Sequence, residues 1–170
     1  MTGADYSVDL LGAGHDRTAF DCGVAVLNSY LQQYARQDME RGIATPYVLV
    51  PSTNHTEIAG FYTLTATAVK LADLPEHTAR KLPRYPLVPA TLLGRLAVSL
   101  EYRGKGLGER LLVDALKRSL EASRIVGSAA VIVDAKDPSG VRFYERYGFT
   151  RLPEQDLRLF IAMKTIAMLR

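Results

Sequence analysis

The chain has 170 residues, 48% hydrophobic and 23% charged, which suffices to bury the core of one ordinary domain but hardly of two. Lys and Arg number 21 against 18 Asp and Glu, and the resulting charge of +3 excludes a molecule that is basic all over, so any anion or nucleic-acid site has to be local. Cys22 is the single cysteine, which excludes an intramolecular disulfide and a thiolate metal centre. The histidines His15, His55 and His77 lack metal-ligand spacing, so no metal is expected. The first residues have no basic and apolar leader pattern, and no apolar run reaches the roughly 18 residues of a membrane span. A cytoplasmic protein away from the membrane is expected.

Residues 6–11 alternate like a short strand before the polar turn 12–16. Over residues 23–41 the apolar positions Val24, Leu27, Tyr30, Leu31, Tyr34 and Ala35 recur at spacings of three and four, which predicts a helix capped by Asp21 and stopped by Gly42. Two strand-like runs, 45–50 and 58–69, flank the turn-rich segment 51–57 and predict an antiparallel hairpin. Residues 74–82 predict a short helix entered through Pro75, after which Pro83, Pro86 and Pro89 keep the chain extended. Residues 91–100 are almost wholly apolar apart from Arg95, as in a central strand covered on both faces. Residues 107–120 put Leu107, Leu111, Leu112, Ala115, Leu116, Ser119 and Leu120 on one helical face. A strand at 128–133, a helix at 138–147 ended by Gly148 and a strand at 157–164 complete the chain. This order predicts an α/β (α+β) fold, a mixed central sheet of six to seven strands with helices on both faces, in a single domain over residues 1–170.

Between the apolar strand and the strongest helix lies Arg103-Gly104-Lys105-Gly106-Leu107-Gly108. A strand that enters a glycine-rich turn and then a helix points several backbone N–H groups and the positive end of a helix dipole at one spot, which suits a phosphate. A tight connection that binds nothing is the competing account, and Arg103 and Lys105 favour the anion. A phosphate loop of the nucleotide-hydrolase kind is a weak match because Lys105 is followed by Gly106 and no Ser or Thr is placed to hold magnesium. A dinucleotide fingerprint fails because the position three beyond Gly106 is Glu109.

What the six residues do match is R-x-x-G-x-G, which resembles the acyl-coenzyme A pyrophosphate loop of the GNAT superfamily of N-acetyltransferases. Phe143-Tyr144-Glu145-Arg146-Tyr147-Gly148-Phe149 is similar to the F-Y-x-x-x-G-F segment of that superfamily's late helix. More narrowly, residues 19–23 leading to Leu27 and Leu31, then Gly60-Phe61-Tyr62-Thr63-Leu64, then Gly94-Arg95-Leu96-Ala97-Val98, resemble the GNAT toxins of bacterial type II toxin–antitoxin modules. The resemblance implies the GNAT acyl-CoA N-acyltransferase fold, acetyl-CoA as co-substrate and acetylation of the amino group of aminoacyl-tRNA, which inhibits translation. It further implies a cognate antitoxin protein of ribbon-helix-helix type and a homodimer.

Carried onto this chain, the resemblance assigns the pyrophosphate to Arg103, Gly104, Lys105, Gly106, Leu107 and Gly108 and the pantetheine amides to the backbone of Leu96, Ala97 and Val98. It makes Tyr144 the catalytic residue, a phenol near the coenzyme A sulfur; an ordinary packed aromatic is the bland account. A phenol of pKa ~10 facing a thiolate of pKa ~8.5 would donate its proton uphill by ~2 kcal/mol, so a hydrogen bond that strengthens as the thiolate develops is the expected role. The strand 91–100 carries no Asp or Glu, and an α-amino group of pKa ~7.7–8.0 needs a base less than a lysine at ~10.4 does. Glu101 and Asp134 remain as candidate bases, read first as solvated or capping carboxylates.

Residues 79–118 hold nine cations, Arg80, Lys81, Arg84, Arg95, Arg103, Lys105, Arg110, Lys117 and Arg118, against Glu101, Glu109 and Asp114. That excess suits a tRNA acceptor stem, with Arg80, Lys81 and Arg84 on phosphates and Tyr85 as a stacking surface, while a solvated helix face is the competing account. Arg95, inside an apolar strand, needs a partner or an opening to water and is expected to face the substrate; a structural ion pair is the alternative. A small amine or a protein amino group as acceptor, or a silent acyl-CoA-binding partner of an antitoxin, stays open at this point.

Overall fold

The computed structural model describes residues 5–169. The elements are β1 (Tyr6–Leu10), α1 (Ala25–Ser29), a π turn (Tyr30–Tyr34), α2 (Ala35–Glu40), β2 (Thr45–Pro51), β3 (Gly60–Lys70), α3 (Glu76–Ala79), β4 (Leu87–Val98), α4 (Leu107–Ser123), β5 (Ala130–Asp134), α5 (Pro138–Arg146), β6 (Thr150–Arg151), β7 (Arg158–Ala162) and α6 (Met163–Ala167). The seven strands follow one another in the order β1-β2-β3-β4-β5-β7-β6, a mixed sheet in which β4 and β5 run parallel while β1-β2, β2-β3, β5-β7 and β6-β7 are antiparallel. Among the described residues no helix is long and apolar enough to cross a membrane.

The chain divides into two compact units, one made of the residues up to Thr65 with Gly94–Ala115, the other of Ala66–Leu93 with Leu116–Arg170. In the first, Leu31, Ala35, Val48, Val50, Phe61 and Ala97 are fully or nearly fully buried in one apolar cluster. Phe20 meets Phe61 edge-on at 5.4 Å and Tyr30 stacks on it at 6.3 Å, so an aromatic sandwich joins the first helical stretch to β3. Gly60 is required here, because a Cβ at that position would lie 2.9 Å from the Ala97 carbonyl oxygen and 2.9 Å from a Leu111 methyl. In the second unit Val69, Leu74, Val88, Ala90, Ile132, Leu152 and Phe160 form a separate core.

The expected helix over 23–41 is interrupted. The Ala35 N–H reaches back to the Tyr30 carbonyl, five residues earlier, and this wide turn inserts an extra residue. Ala35 therefore becomes the buried position one turn beyond Tyr30 and Leu31, and Tyr34, predicted on the same face, is 51% exposed. Asp21 does not cap a helix start; its carboxylate accepts from the Gly23 N–H and the Asn28 amide, closing the turn ahead of α1. The short helix expected at 74–82 shrinks to α3, and a 3-10 turn (Leu71–Asp73) precedes it. The central strand begins earlier than expected, and it is not covered on both faces: Leu93 and Ala97 are buried, whereas Leu92, Arg95, Leu96 and Val98 are half-buried. The final strand ends at Ala162, where α6 takes over.

Candidate active site

The loop 103–108 leaves its backbone open. Gly104 and Gly106 have φ of +78° and +74°, a left-handed conformation that side chains rarely adopt, and among the described residues no atom beyond their chain neighbours lies within 4 Å of where either Cβ would be. The first backbone bond of α4 in this turn runs from the Arg110 N–H to the Gly106 carbonyl, so the N–H groups of Leu107, Gly108 and Glu109 have no helical acceptor. Leu107 anchors the turn, being almost fully buried, while Arg103, Gly104, Lys105 and Gly106 are exposed. Free N–H groups, two left-handed glycines and open space beside them suit a pyrophosphate.

The cations around this loop divide in a way that sequence counting could not resolve. The Arg103 guanidinium donates to the Cys22 carbonyl at 3.3 Å, and the Arg110 guanidinium to the Tyr6 carbonyl at 2.8 Å, so both side chains tie segments of the fold together. Lys105 is exposed and makes no such bond among the described residues. Asp21, near Arg103, has its acidity strengthened below the usual carboxylate range, first by the Gly23 N–H and then by the Asn28 amide.

Leu96, Ala97 and Val98 close β4, with the Ala97 side chain in the core and the following Ser99 N–H bonded to the Ala59 carbonyl at 2.8 Å. Arg95, on the same face of the strand as Ala97, is half-buried and makes no ion pair among the described residues: its guanidinium lies 3.5 Å from the centre of the Tyr30 ring. Tyr30 donates its hydroxyl to Asp38 at 2.9 Å. Nothing in the sequence pattern marks Tyr30 as the partner of Arg95, since the two are far apart along the chain and the helix register that aligns them depends on the π turn.

The second unit holds the other expected residues. Arg80, Lys81 and Arg84 are exposed on and after α3, where Leu74, Ala79 and Leu82 turn inward and leave the cations outward. Arg80 pairs with Glu76 one turn earlier, and Tyr85 is 71% exposed. Asp134, a candidate base, is taken by Arg158, whose Nε and a terminal nitrogen donate to its two oxygens at 2.7 and 2.9 Å. Glu101 is exposed. Among the described residues no cluster of His, Cys, Asp and Glu could hold a metal ion.

Tyr144 lies on α5, which starts with Asp137 accepting from the Gly140 N–H and Pro138 in its first turn, and stops at Gly148 with φ +98°. Its ring is edge-on to Phe143 at 5.2 Å and to Phe149 at 5.3 Å. Burial pushes its pKa up to about 12, and among the described residues its hydroxyl has no hydrogen-bond partner. The phenol is therefore a neutral, unspent donor at physiological pH. A phenol whose pKa is raised by folding stabilises the native state below pH ~10, and that contribution is lost as the pH rises from ~10 through ~12, because the unfolded chain ionises first. For Tyr144 the loss should reach at most about 3 kcal/mol. Denaturant midpoints measured between about pH 9 and pH 11 should fall less steeply for Tyr144→Phe than for the unaltered chain, and equal slopes would contradict the upward shift of this half-buried phenol.

A family model described as an acetyltransferase (GNAT) domain matches residues 89–165. The chain is 32% identical over 162 residues to the probable toxin TacT of Sinorhizobium fredii, which spans 91% of this chain and 89% of the relative. It is 34% identical over 149 residues to the tRNA-acetylating toxin of Mycobacterium tuberculosis, 88% of this chain and 87% of the relative. The solved structure of AtaT complexed with acetyl-methionyl-tRNAfMet matches at 30% identity and a TM-score of 0.89, over 96% of this chain and 98% of that one. A tyrosine-to-phenylalanine variant of AtaT, bound to the C-terminus of the antitoxin AtaR and acetyl-CoA, matches at 27% identity and a TM-score of 0.81, over 96% and 97%. Identity above 30% sustained over most of both relatives, together with the glycine-rich turn and the mixed sheet that present it, makes this chain a member of the GNAT acetyltransferases, in the group of the tRNA-acetylating toxins.

Proposed function

We propose that the chain is a toxin that moves an acetyl group from acetyl-CoA to the α-amino group of an aminoacyl-tRNA, blocking that amine and so inhibiting translation. The observation that carries this reading is near-full-length kinship with a protein named for acetylating tRNA. The loop 103–108, with its free N–H groups and left-handed glycines, supports a pyrophosphate-bearing co-substrate. The reading takes residues 1–170 as one acetyltransferase domain, supported by the matching lengths of chain and relatives and by α4, β3 and β4, which each run continuously from one unit into the other. Charged tRNA as acceptor places the enzyme in the cytoplasm. A cognate antitoxin of ribbon-helix-helix type and a second copy of the chain are the further partners we infer.

Acetyl-CoA, when bound, supplies the activated acetyl thioester. In this reading the N–H groups of Gly104 through Gly108 hold its pyrophosphate and the backbone of Leu96, Ala97 and Val98 pairs with its pantetheine amides like an added strand. Tyr144 donates a hydrogen bond to the sulfur. With its pKa at about 12, full transfer of its proton to a thiolate of pKa ~8.5 would be uphill by ~5 kcal/mol, so the phenol acts by stabilising developing charge while keeping its proton. No carboxylate is needed for the acceptor, because an α-amino group of pKa ~7.7–8.0 is partly neutral at pH 7 and water can take the remaining proton. The pairing of Asp134 with Arg158 agrees with that economy.

The test is incubation with labelled acetyl-CoA and total charged tRNA, followed by identification of the labelled aminoacyl ester. Label on the α-amino group of one or more aminoacyl esters is expected; label confined to small amines would overturn the substrate. The exposed cations Arg80, Lys81 and Arg84 give a second measurement. Replacing all three with alanine should weaken tRNA binding and flatten its salt dependence by roughly one unit of log–log slope for each phosphate no longer neutralised. Acetyl-CoA affinity should stay as it was, and an unchanged salt slope would remove this docking surface.

A further inference from the structure

Arg95 has an unusual combination of constraint and freedom. Its guanidinium is fixed against the Tyr30 ring at 3.5 Å, yet among the described residues none of its N–H groups meets a hydrogen-bond acceptor or a carboxylate. Tyr30 is itself immobilised, 6% exposed, stacked on Phe61 and bonded through its hydroxyl to Asp38 at 2.9 Å. The hydroxyl is thereby spent and cannot compete for what Arg95 binds. The π turn is what brings Tyr30 to this place, because it starts at Tyr30 and sets the register in which Tyr30, Leu31 and Ala35 point inward together. A guanidinium centred 3.5 Å from a fixed ring has given up much of its rotamer freedom in advance, and with no acceptor among the described residues its N–H groups remain available to grip a phosphate or carboxylate through two parallel bonds.

Which anion this is follows from position along β4, and the argument rests on the acetyl-transfer reading above. That reading sets the pyrophosphate at 103–108 and the pantetheine amides along Val98 to Leu96. The acetyl end then lies at Leu96, and Arg95 comes next, on the acceptor side. The acceptor in that reading is an aminoacyl ester whose nearest anions are the phosphodiesters of the tRNA terminus. We propose that Arg95 binds a backbone phosphate at the aminoacylated end of the tRNA, and that Tyr30 is a positioning residue that holds the guanidinium in the binding orientation.

The test compares two acceptors, charged tRNA and methionine methyl ester, which has the α-amino group and the ester but no phosphate. Arg95→Lys keeps the charge but loses both the stack and the fork. It should lower the preference for charged tRNA over the methyl ester, as a ratio of kcat/KM values, about tenfold, through KM for tRNA, whereas Arg95→Gln, which also removes the charge, should in addition reduce the salt slope of that KM by about one unit. Tyr30→Leu should lower the same ratio, and Tyr30→Phe, which keeps the ring, should restore it. If Tyr30→Leu fails to fold, the two Arg95 variants carry the test alone. An acceptor preference unchanged in Arg95→Lys, or a salt slope unchanged in Arg95→Gln, would overturn the phosphate contact, and weaker acetyl-CoA binding by calorimetry in Arg95→Lys would assign the fork to the co-substrate instead. A preference that falls equally in Tyr30→Phe and Tyr30→Leu would overturn the positioning role of the ring. Because the unaltered enzyme is assayed on charged tRNA in the same series, a failure of the substrate reading itself appears there and is not confused with failure of this contact.

Discussion

Tyr144→Phe should lower kcat for acetyl transfer to charged tRNA by about 10²–10³-fold, the usual cost of removing one preorganised donor that faces developing negative charge. The substitution removes one hydroxyl and keeps the ring that packs on Phe143 and Phe149, so the fold should hold. It should also leave acetyl-CoA affinity almost unchanged, because a bond that strengthens only as the thiolate forms contributes little to the ground state. Among the described residues the Tyr144 hydroxyl has no partner to be stranded by its loss. Expression of the variant in bacteria should accordingly be tolerated where the unaltered chain is toxic. Single-turnover acetyl transfer by the folded variant is the deciding measurement. A rate within about twofold of the unaltered enzyme would reduce Tyr144 to a packed aromatic and require another group to stabilise the sulfur.

Much of the architecture was legible because apolar periodicity reports burial directly. On α4 the predicted face is the buried one, from Leu107 through Leu111, Leu112, Ala115 and Leu116 to Ser119. The hairpin of β2 and β3 and the stop at Gly148 follow from equally local chemistry. The departures have a shared cause, namely that tertiary packing decides where local preference is weak. The π turn at Tyr30–Tyr34 keeps Ala35 in the core and leaves Tyr34 exposed, and no periodicity in the sequence distinguishes it from an ordinary turn. The two-residue strand β6 is too short to leave a pattern of its own. In the site, the glycines of 103–108 announced their backbone requirement, which Gly104 and Gly106 bear out in φ. The side-chain partners did not announce themselves. Arg103 bonds to the Cys22 carbonyl and Arg95 lies on Tyr30, and both contacts join residues that only the folded sheet and helix bring together.

Gly108→Asp should abolish most of the affinity for acetyl-CoA while leaving the protein folded. Gly108 is the second residue of α4 and has no left-handed φ, so a side chain there carries no backbone strain. A carboxylate in the first helical turn also interacts favourably with the helix dipole, typically by 0.3–1 kcal/mol, so thermal stability should be equal or slightly raised. The same charge beside a bound pyrophosphate is repelled. At ~4 Å and an effective dielectric near 20 the repulsion is on the order of 4 kcal/mol per pair of unit charges, and even half of that costs more than tenfold in affinity. Gly108→Ala separates bulk from charge and should lose less. Gly106→Ala tests the other requirement, because it forces a Cβ into φ +74° at a cost of roughly 1 kcal/mol and should lower stability as well as affinity. Calorimetry that found undiminished acetyl-CoA binding in folded Gly108→Asp would mean that the pyrophosphate does not lie on the N–H groups at the start of α4, and the assignment of the loop would fall with it.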